Sequence, residues 1–508
     1  MPREDVRGVS SVLTAVTVLR KETPVTTTDV VAPRRKGALL LLGAQWGRYV
    51  SQVLGIVILA RLVGPADFGI VALGASVAGL AAVLGDFGLS MAALRAPSLT
   101  DQQQTNLFWI NTGVGTAAAG IVAGIAPAMA TAFDDARLIV VLLLLAPAFL
   151  LRSASAQLRV ELNRSGRLGR LAGSELAGDV SGLIGAIVLA ALGGGYLALA
   201  IQGTLSAAVT LVIAFACASW RPGLPRRGSH LRSLLTFGGN TFVVHALNYA
   251  STNVGTLLIA RAASDQVVGL YNRATQLVNL PIDQLITPLT RVVIPHLAVA
   301  ASASDLSARL SRFQVVLCYP AFAYLSLFVA AARPALEVVL GEAWAPAAAF
   351  VPVLALGALF QTLGYPQYWA FVSTGRSAML LASEAVGRVA MIALAIGLAP
   401  LGPLAVAAAV AVGQFLLWLA AAVVFLPRTG VPSWPLVRAG LRPVAIFAAA
   451  LGVAVTADAA FFTPLIPVLR LVAITALWSI VVTSLALLTA RHDLRTIAEG
   501  LRRRERRS

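Results

Sequence analysis

Charge is scarce in this chain. Asp, Glu, Lys and Arg make up 12% of its 508 residues, about half the share found in an ordinary soluble domain. With 58% of residues apolar, a water-soluble body could not hide its apolar surface, so the sequence reads as an integral membrane protein. Lysine is nearly missing: only Lys21 and Lys36 occur among 39 basic residues. Neither follows a glycine, so there is no phosphate-binding loop of the Gly-Lys type to hydrolyse ATP. Two cysteines, Cys217 and Cys318, both inside apolar runs, exclude a disulfide framework and a cysteine metal cluster. The four histidines, His230, His245, His296 and His492, lack metal-ligand spacing. HExxH, GxSxG and DxD patterns are missing too. No cofactor is expected. An enzyme such as a membrane glycosyltransferase or polymerase is disfavoured, because the loops on the outer side are short.

What is present is a succession of apolar runs. Each is about 20 residues long, enough to cross a hydrocarbon core of about 30 Å as a helix. Fourteen are expected, at 39–60, 70–94, 106–128, 138–158, 171–192, 196–219, 235–260, 268–298, 313–332, 347–371, 378–398, 402–425, 439–460 and 467–489. Their all-round hydrophobicity and high Ala and Gly content fit helices packed against one another in lipid, not the short alternating strands of a membrane barrel. Before them, residues 1–36 form a polar tail. Val9 to Leu19 is only mildly apolar and has no small-residue cleavage site, so a cytosolic tail is favoured over a signal peptide.

The formal net charge of +17 would point to nucleic acid in a soluble protein. Here it reports orientation. With the N-terminus in the cytosol, 31 of the 39 basic residues fall on the cytosolic side and five outside, namely Arg61, Arg137, Arg261, Arg333 and Arg470. Arg48, Arg273 and Arg388 lie within spans. This is a strong positive-inside bias, and it places both termini in the cytosol; the Arg and Ala bias of the composition points to a GC-rich bacterial genome. The basic tail 490–508 is read as a contact for lipid headgroups, with no nucleic-acid partner.

The chain also repeats itself at an offset of 200. Tyr49, Ser51, Gly55, Ala60, Arg61 and Gly69 match Tyr249, Ser251, Gly255, Ala260, Arg261 and Gly269 without a gap. An offset of six spans gives two copies of the same orientation. The expected architecture is all-α, with two parallel six-helix lobes (37–219 and 235–427) around a central cavity. A basic linker (220–234) joins them and an additional helix pair (428–489) follows. Lobes that rock about a central site suit alternating access.

Ionisable groups in hydrocarbon usually face a cavity or a partner. Arg48, mid-span, either lines a cavity or bonds backbone carbonyls. Arg273 either lines the same cavity from the other lobe or snorkels to the surface. Together they would make a cationic site suited to phosphate. Asp86 in the second span could pair with one of them or bond only a backbone donor. Glu175 and Asp179, four apart, share a helix face and serve either pairing or coupling, or end a solvated helix. Glu384 and Arg388, also four apart, suit a local ion pair. Asn240, His245, Asn248, Ser251 and Asn253 give the seventh span a polar face, for contact with cargo or for interhelical hydrogen bonds. Pro281, Pro288 and Pro295 recur every seven residues, so the eighth span is expected to be broken repeatedly, as a hinge or as a packing kink.

Several segments resemble a known family. Leu59-Ala-Arg61-Leu-Val-Gly64-Pro65-Ala-Asp67-Phe68-Gly69 and Gly85-Asp86-Phe87-Gly88-Leu89 resemble the opening of the oligosaccharide flippases, or polysaccharide transporters. Phe108-Trp109-Ile-Asn111, Leu270-Tyr271-Asn272-Arg273-Ala274, Thr287-Pro288-Leu-Thr-Arg291-Val-Val-Ile-Pro295 and Gly341-Glu-Ala-Trp344-Ala-Pro346-Ala347 fit as well. The nearest look is to the colanic-acid and teichuronic-acid exporter branch of the multidrug/oligosaccharidyl-lipid/polysaccharide exporter superfamily. The resemblance implies a flippase that carries an undecaprenyl-diphosphate-linked oligosaccharide to the outer leaflet. Its partners would be membrane lipids and a polysaccharide polymerase or co-polymerase. Two competitors share the fold: a lipid II flippase, and a drug or cation antiporter. The antiporter would need an embedded acid, which spans one and seven do not offer.

Overall fold

The computed structural model describes residues 35–85, 99–226 and 232–489. Within them the regular structure is helical. The first six helices are α1 (Arg35–Leu62), α2 (Pro65–Gly85), α3 (Asp101–Phe133), α4 (Arg137–Arg164), α5 (Leu168–Ala191) and α6 (Tyr196–Cys217). Then come α7 (Arg232–Ala262), α8 (Asp265–Ala298), α9 (Ala303–Ala330) and the short α10 (Ala332–Val339). A 3-10 segment, Glu342–Ala349, leads into α11 (Val351–Ser373) at a bend of 56°. The chain continues through α12 (Ser377–Leu398), α13 (Pro403–Ala420), α14 (Trp434–Ala457) and α15 (Pro467–Thr489).

Ten of the described helices are long and apolar enough to cross a membrane, or eleven when the bent pair counts as one span. This makes the chain a multi-pass membrane protein. The sequence expectation of fourteen spans included three further helices, α1, α2 and α7. Polar residues interrupt α1 and α7, while α2 is apolar along most of its 21 residues, Pro65–Gly85. The expected tails, all but residues 35–36, lie outside the described residues, as does Asp86.

The packing of the first bundle recurs in the second. Helix α3 lies on α4, α5 on α6, α4 on α6, α1 on α5, and α2 on α3 and α4. In the same order α9 lies on α11, α12 on α13, α11 on α13, α7 on α12, and α8 on α9 and α11. Small residues allow this closeness, as in lipid generally. A Cβ on Gly182 would stand 2.6 Å from the Gln202 carbonyl oxygen, and one on Gly387 would stand 2.4 Å from the Leu417 Cβ. Helix α14 adds to the second bundle against α9, and α15 follows it with Ile474 and Trp478 as its buried residues.

The two bundles meet where α2 crosses α8. Here the sequence repeat becomes a spatial one. A Cβ on Gly69 would stand 1.8 Å from the Asp265 carbonyl oxygen, and one on Gly269 would stand 1.9 Å from the Pro65 carbonyl oxygen. Only glycine permits this backbone approach. The matched arginines reach across on either side. Arg61 donates to the carbonyls of Val338 and Val339, and Arg261 to that of Ala132. Arg137 pairs with Asp135 and, across the junction, with Asp265, each at 2.6 Å. Burial works against ionisation of Asp135, yet hydrogen bonds from the Arg137 side chain and backbone hold its carboxyl below the usual carboxylate range. We call this the joint end of the molecule.

Helix α8 departs from the expected broken span. It is one helix of 34 residues despite Pro281, Pro288 and Pro295. Pro281 has no N–H, so the Leu277 carbonyl lacks its intrahelical donor. The Tyr324 hydroxyl of α9 donates to that carbonyl at 2.6 Å, so a neighbouring helix supplies the bond the proline removes. Tyr324→Phe should therefore lower thermal stability by about 1–3 kcal/mol, the cost of orphaning a buried acceptor. Adding Pro281→Ala should recover most of that loss. Melting of the purified protein in detergent checks both, and equal loss in the single and double variants would refute the account.

Candidate functional site

Between the bundles, from the crossing toward the N-terminal end of α1, lies a cavity of about 850 Å³. Its walls come from α1, α2, α4, α5 and α6 of the first bundle, and from α8 of the second. The pseudo-symmetry explains this placement by where it fails. Helix α7 packs along α2, but its counterpart α1 makes no comparable contact with α8. The α7–α2 seam is sealed by polar contacts. Tyr249 donates to the carbonyls of Ala75 and Ser76 at 3.0 and 3.2 Å, and Ser76 donates to Asn253 Oδ1 at 3.1 Å. At the equivalent α1–α8 seam the cavity opens instead.

One face of α1 forms a wall of it. Gln45, Arg48, Tyr49, Gln52, Gly55, Ile56 and Leu59 follow the i, i+3, i+4, i+7 period of a single helix stripe. Gly269, Asn272, Arg273, Gln276 and Gln284 do the same on α8. Both Arg48 and Arg273 therefore line one cavity, from different bundles. Their surroundings differ sharply.

Arg48 is neutralised. Its Nη1 lies 2.7 Å from Glu175 Oε2, and its Nε lies 2.9 Å from Asp179 Oδ2. Glu175 also accepts from Arg159 at 2.7 Å, and Asp179 accepts from Ser206 at 3.1 Å. Two arginines and two carboxylates close a neutral network on α1, α4 and α5.

Arg273 has no carboxylate beside it among the described residues. It is only 5% exposed. Its guanidinium lies over the Phe68 ring at 4.1 Å and the Trp344 ring at 5.3 Å, and Nη1 donates to Gln276 at 2.6 Å. Its Nε is buried with no hydrogen-bond partner. Trp344 is fixed in turn by the Ala60 carbonyl, which accepts from its ring N–H at 2.8 Å. Stacking on two rings compensates part of the desolvation of the cation, each contact being worth about 1–2 kcal/mol when water is excluded. With no acid beside it among the described residues, this cation at the cavity wall can attract an anion.

A third arginine belongs here, one that the charge pattern counts with the basic residues of the cytosolic side. Arg152 on α4 lines the cavity. It lies against α6 where Gly203 has no side chain: a Cβ there would stand 3.5 Å from its Nη2. It forms no ion pair among the described residues. Gln202 and Ser206 on α6, with Asn272, Gln276 and Gln284 on α8, supply uncharged polar groups to a lining that also holds apolar residues such as Ile56, Val71, Leu145 and Leu199.

Other anticipated residues stand elsewhere. Asn248 is exposed and outside the cavity lining, and its carbonyl accepts from Ser251 and Thr252. The described polar residues of α7 serve bonds within α7 and to α2, α8 and α12, because α7 is packed where α1 is free. The side chains of Asn240 and His245 lie outside the described residues. Glu384 and Arg388 form an ion pair at 2.7 Å on α12, and Arg388 donates to Ser251 at 2.8 Å. Pro281, Pro288 and Pro295 all lie on α8, the helix carrying Arg273.

Two related helical bundles around a polar, arginine-bearing cavity define a membrane protein of the transporter class. Sequence comparison makes this more specific. The chain belongs to the family of polysaccharide biosynthesis proteins, whose profile matches residues 58–349. It is 25% identical over 335 residues to the lipopolysaccharide biosynthesis protein WzxC of Escherichia coli, covering 64% of this chain and 68% of that protein. It is 22% identical over 306 residues to the teichuronic acid biosynthesis protein TuaB of Bacillus subtilis, covering 58% of this chain and 61% of that protein. The fold is shared with the lipid II flippase MurJ in an inward closed conformation, at a TM-score of 0.69 and 14% identity, over 89% of this chain and all of that one. It is shared less closely with an inward-facing multidrug resistance transporter of the MATE family and MOP superfamily. There the TM-score is 0.54 and the identity 17%, over 80% of this chain and 98% of that one.

Proposed function

We propose that this protein is an alternating-access flippase of the bacterial plasma membrane. It would move an undecaprenyl-diphosphate-linked oligosaccharide, an exopolysaccharide repeat unit, from the cytosolic to the outer leaflet. Both termini are cytosolic in this reading, so the joint end faces outward and the described conformation is closed on that side. The single observation carrying the proposal is Arg273: a buried guanidinium without an acidic partner, at the head of a polar cavity. Such a group suits a diphosphate, which offers several charged oxygens to a planar fork of donors. The uncharged Gln, Asn and Ser lining suits hydroxyl-rich sugar. The seam between α1 and α8 lets the lipid tail stay in the bilayer while the polar head enters. A cation antiporter fits less well, since arginine at the head of the cavity repels its cargo. A polysaccharide polymerase is the partner this reading assigns downstream.

Deletion of the gene, followed by extraction of lipids, tests the proposal. Lipid-linked repeat units should accumulate on the cytosolic face, and exported polysaccharide should fall to background. Accumulation of lipid II instead would assign the protein to peptidoglycan, and an unchanged lipid pool would refute the flippase reading.

A further inference from the structure

We infer that Glu175 and Asp179 occupy, in the substrate-free cavity, the place on Arg48 that the phosphate oxygens of the cargo take when it binds. The inference rests on the flippase reading and concerns how its anionic cargo gains access to Arg48.

Three observations carry it. First, the fork of Arg48 is already filled: Nη1 is used by Glu175 at 2.7 Å and Nε by Asp179 at 2.9 Å. A phosphate brought to that fork would meet two carboxylates within a few ångströms, and like charges at such distances disfavour binding. Arg48 and the two acids therefore cannot serve the cargo as they stand. Either carboxylates and phosphate exchange, or Arg48 takes no part.

Second, the network faces the cavity. The side chains of Arg48 and Asp179 are 41% and 40% exposed, and both line the cavity wall. A buried structural clamp would be shielded from an incoming anion, whereas these groups are open to it. Exchange of one oxyanion for another on a half-exposed guanidinium involves little new desolvation.

Third, the helices that carry the network do not need it to stay together. Helix α1 lies on α5 through small residues meeting leucines. A Cβ on Gly47 would stand 3.4 Å from Leu176, and one on Gly55 would stand 3.0 Å from Leu183. The acids also have other partners to retain them once Arg48 turns away. Glu175 keeps Arg159 at 2.7 Å, and Asp179 keeps the Ser206 hydroxyl at 3.1 Å. The release of Arg48 thus leaves each carboxylate hydrogen-bonded.

The two arginines then have different duties. Arg273 is available before the cargo arrives, and Arg48 becomes available only when an anion competes for it. Glu175 and Asp179 are specificity-determining residues on this account: they raise the threshold for binding, so that a strongly charged diphosphate is admitted and weaker anions are not.

The test is binding of undecaprenyl diphosphate to the purified full-length protein in detergent, measured with Glu175→Gln, Asp179→Asn, the double variant and Arg48→Ala. Each single carboxylate variant should bind up to about fivefold more tightly than the wild type, the range set by one partly exposed ion pair. Arg48→Ala should bind more weakly. A less highly charged lipid, undecaprenyl monophosphate, should gain more from the double variant than the diphosphate does. Equal or weaker binding by both single variants, with unchanged melting temperatures, would show the ion pairs to be structural and overturn the inference. A wild type that binds no diphosphate lipid, while Arg273→Ala behaves identically, would overturn the flippase reading itself. If the double variant fails to fold, the two single variants decide the matter.

Discussion

Arg273→Ala abolishes export, and Arg273→Lys recovers little of it: this is the largest effect expected of any side-chain truncation in the cavity. The arginine is buried, rests on Phe68 and Trp344, and has an unsatisfied Nε. Removing one partner of a desolvated charge contact costs about 2–5 kcal/mol, so transport should fall by at least about 30-fold. Lysine keeps the charge but loses the plane that stacks on the rings and the fork that meets a diphosphate. Its ammonium would also need hydration that this pocket does not provide. The measurement is exported polysaccharide together with the cytosolic pool of lipid-linked repeat units, at matched protein levels. Export near the wild-type rate by Arg273→Ala would remove the observation on which the flippase reading stands.

Gly69→Ala and Gly269→Ala should each destabilise the joint end while leaving the helices themselves intact. Alanine in a helix is normally favoured over glycine by about 1 kcal/mol, so a loss here has to come from the crossing. The added methyl would stand 1.8 Å from the Asp265 carbonyl at one position and 1.9 Å from the Pro65 carbonyl at the other, whereas ordinary contact begins at 3.4 Å. Backbone oxygens cannot rotate aside as a flexible side chain can. The helices must separate, and overpacking of this kind costs about 1–3 kcal/mol. The Arg61, Arg261 and Arg137 contacts depend on the same approach and would weaken with it. The population open at the joint end should rise by a factor of about 5–150 for that range of energy. A cysteine introduced at Ala72, with Cys217 and Cys318 replaced by serine, reads this out. Ala72 lines the cavity below the crossing, so a thiol reagent applied from the joint end should label it faster in the alanine variants. Unchanged labelling would mean the crossing does not control access.

The seal and the site are linked through a few residues. Phe68, next to Gly69, meets Trp344 edge to face with ring centroids 5.2 Å apart, and both rings carry Arg273. Separation of α2 from α8 would therefore disturb the support of Arg273 at the head of the cavity. In the flippase reading this offers a route by which opening outward weakens the hold on the diphosphate, as release requires.

Part of the site is legible in the sequence. The polar stripe of α1, spaced three and four apart, is a helix face by its spacing alone, and an arginine within it has to seek a cavity or a partner. In the structure Arg48 has both at once. The carboxylates that neutralise it are 127 and 131 residues further along the chain, and no local pattern tells which helix α5 will lie against. Arg152 lies inside the apolar stretch expected to span, yet it counts with the run of basic residues that follows it, because charge pattern cannot tell which face of α4 meets a cavity. The polar face of α7 is similar to that of α1, yet α7 is packed on α2 and its described side chains bond helices. Repeat-related sequences meet unequal surroundings, since a twofold arrangement closed on one seam and open on the other cannot place both copies at a cavity. For α8, proline spacing points to breaks that Tyr324, a residue of another helix, repairs in part.

Hydrophobic run length, the bias of basic residues and the offset of 200 depend on local composition and the thickness of a bilayer, and these alone determined membrane class, helix order and duplication. Which arginine is free and which is neutralised was decided only by the tertiary structure, because charge compensation acts over a few ångströms between helices that are distant in the chain.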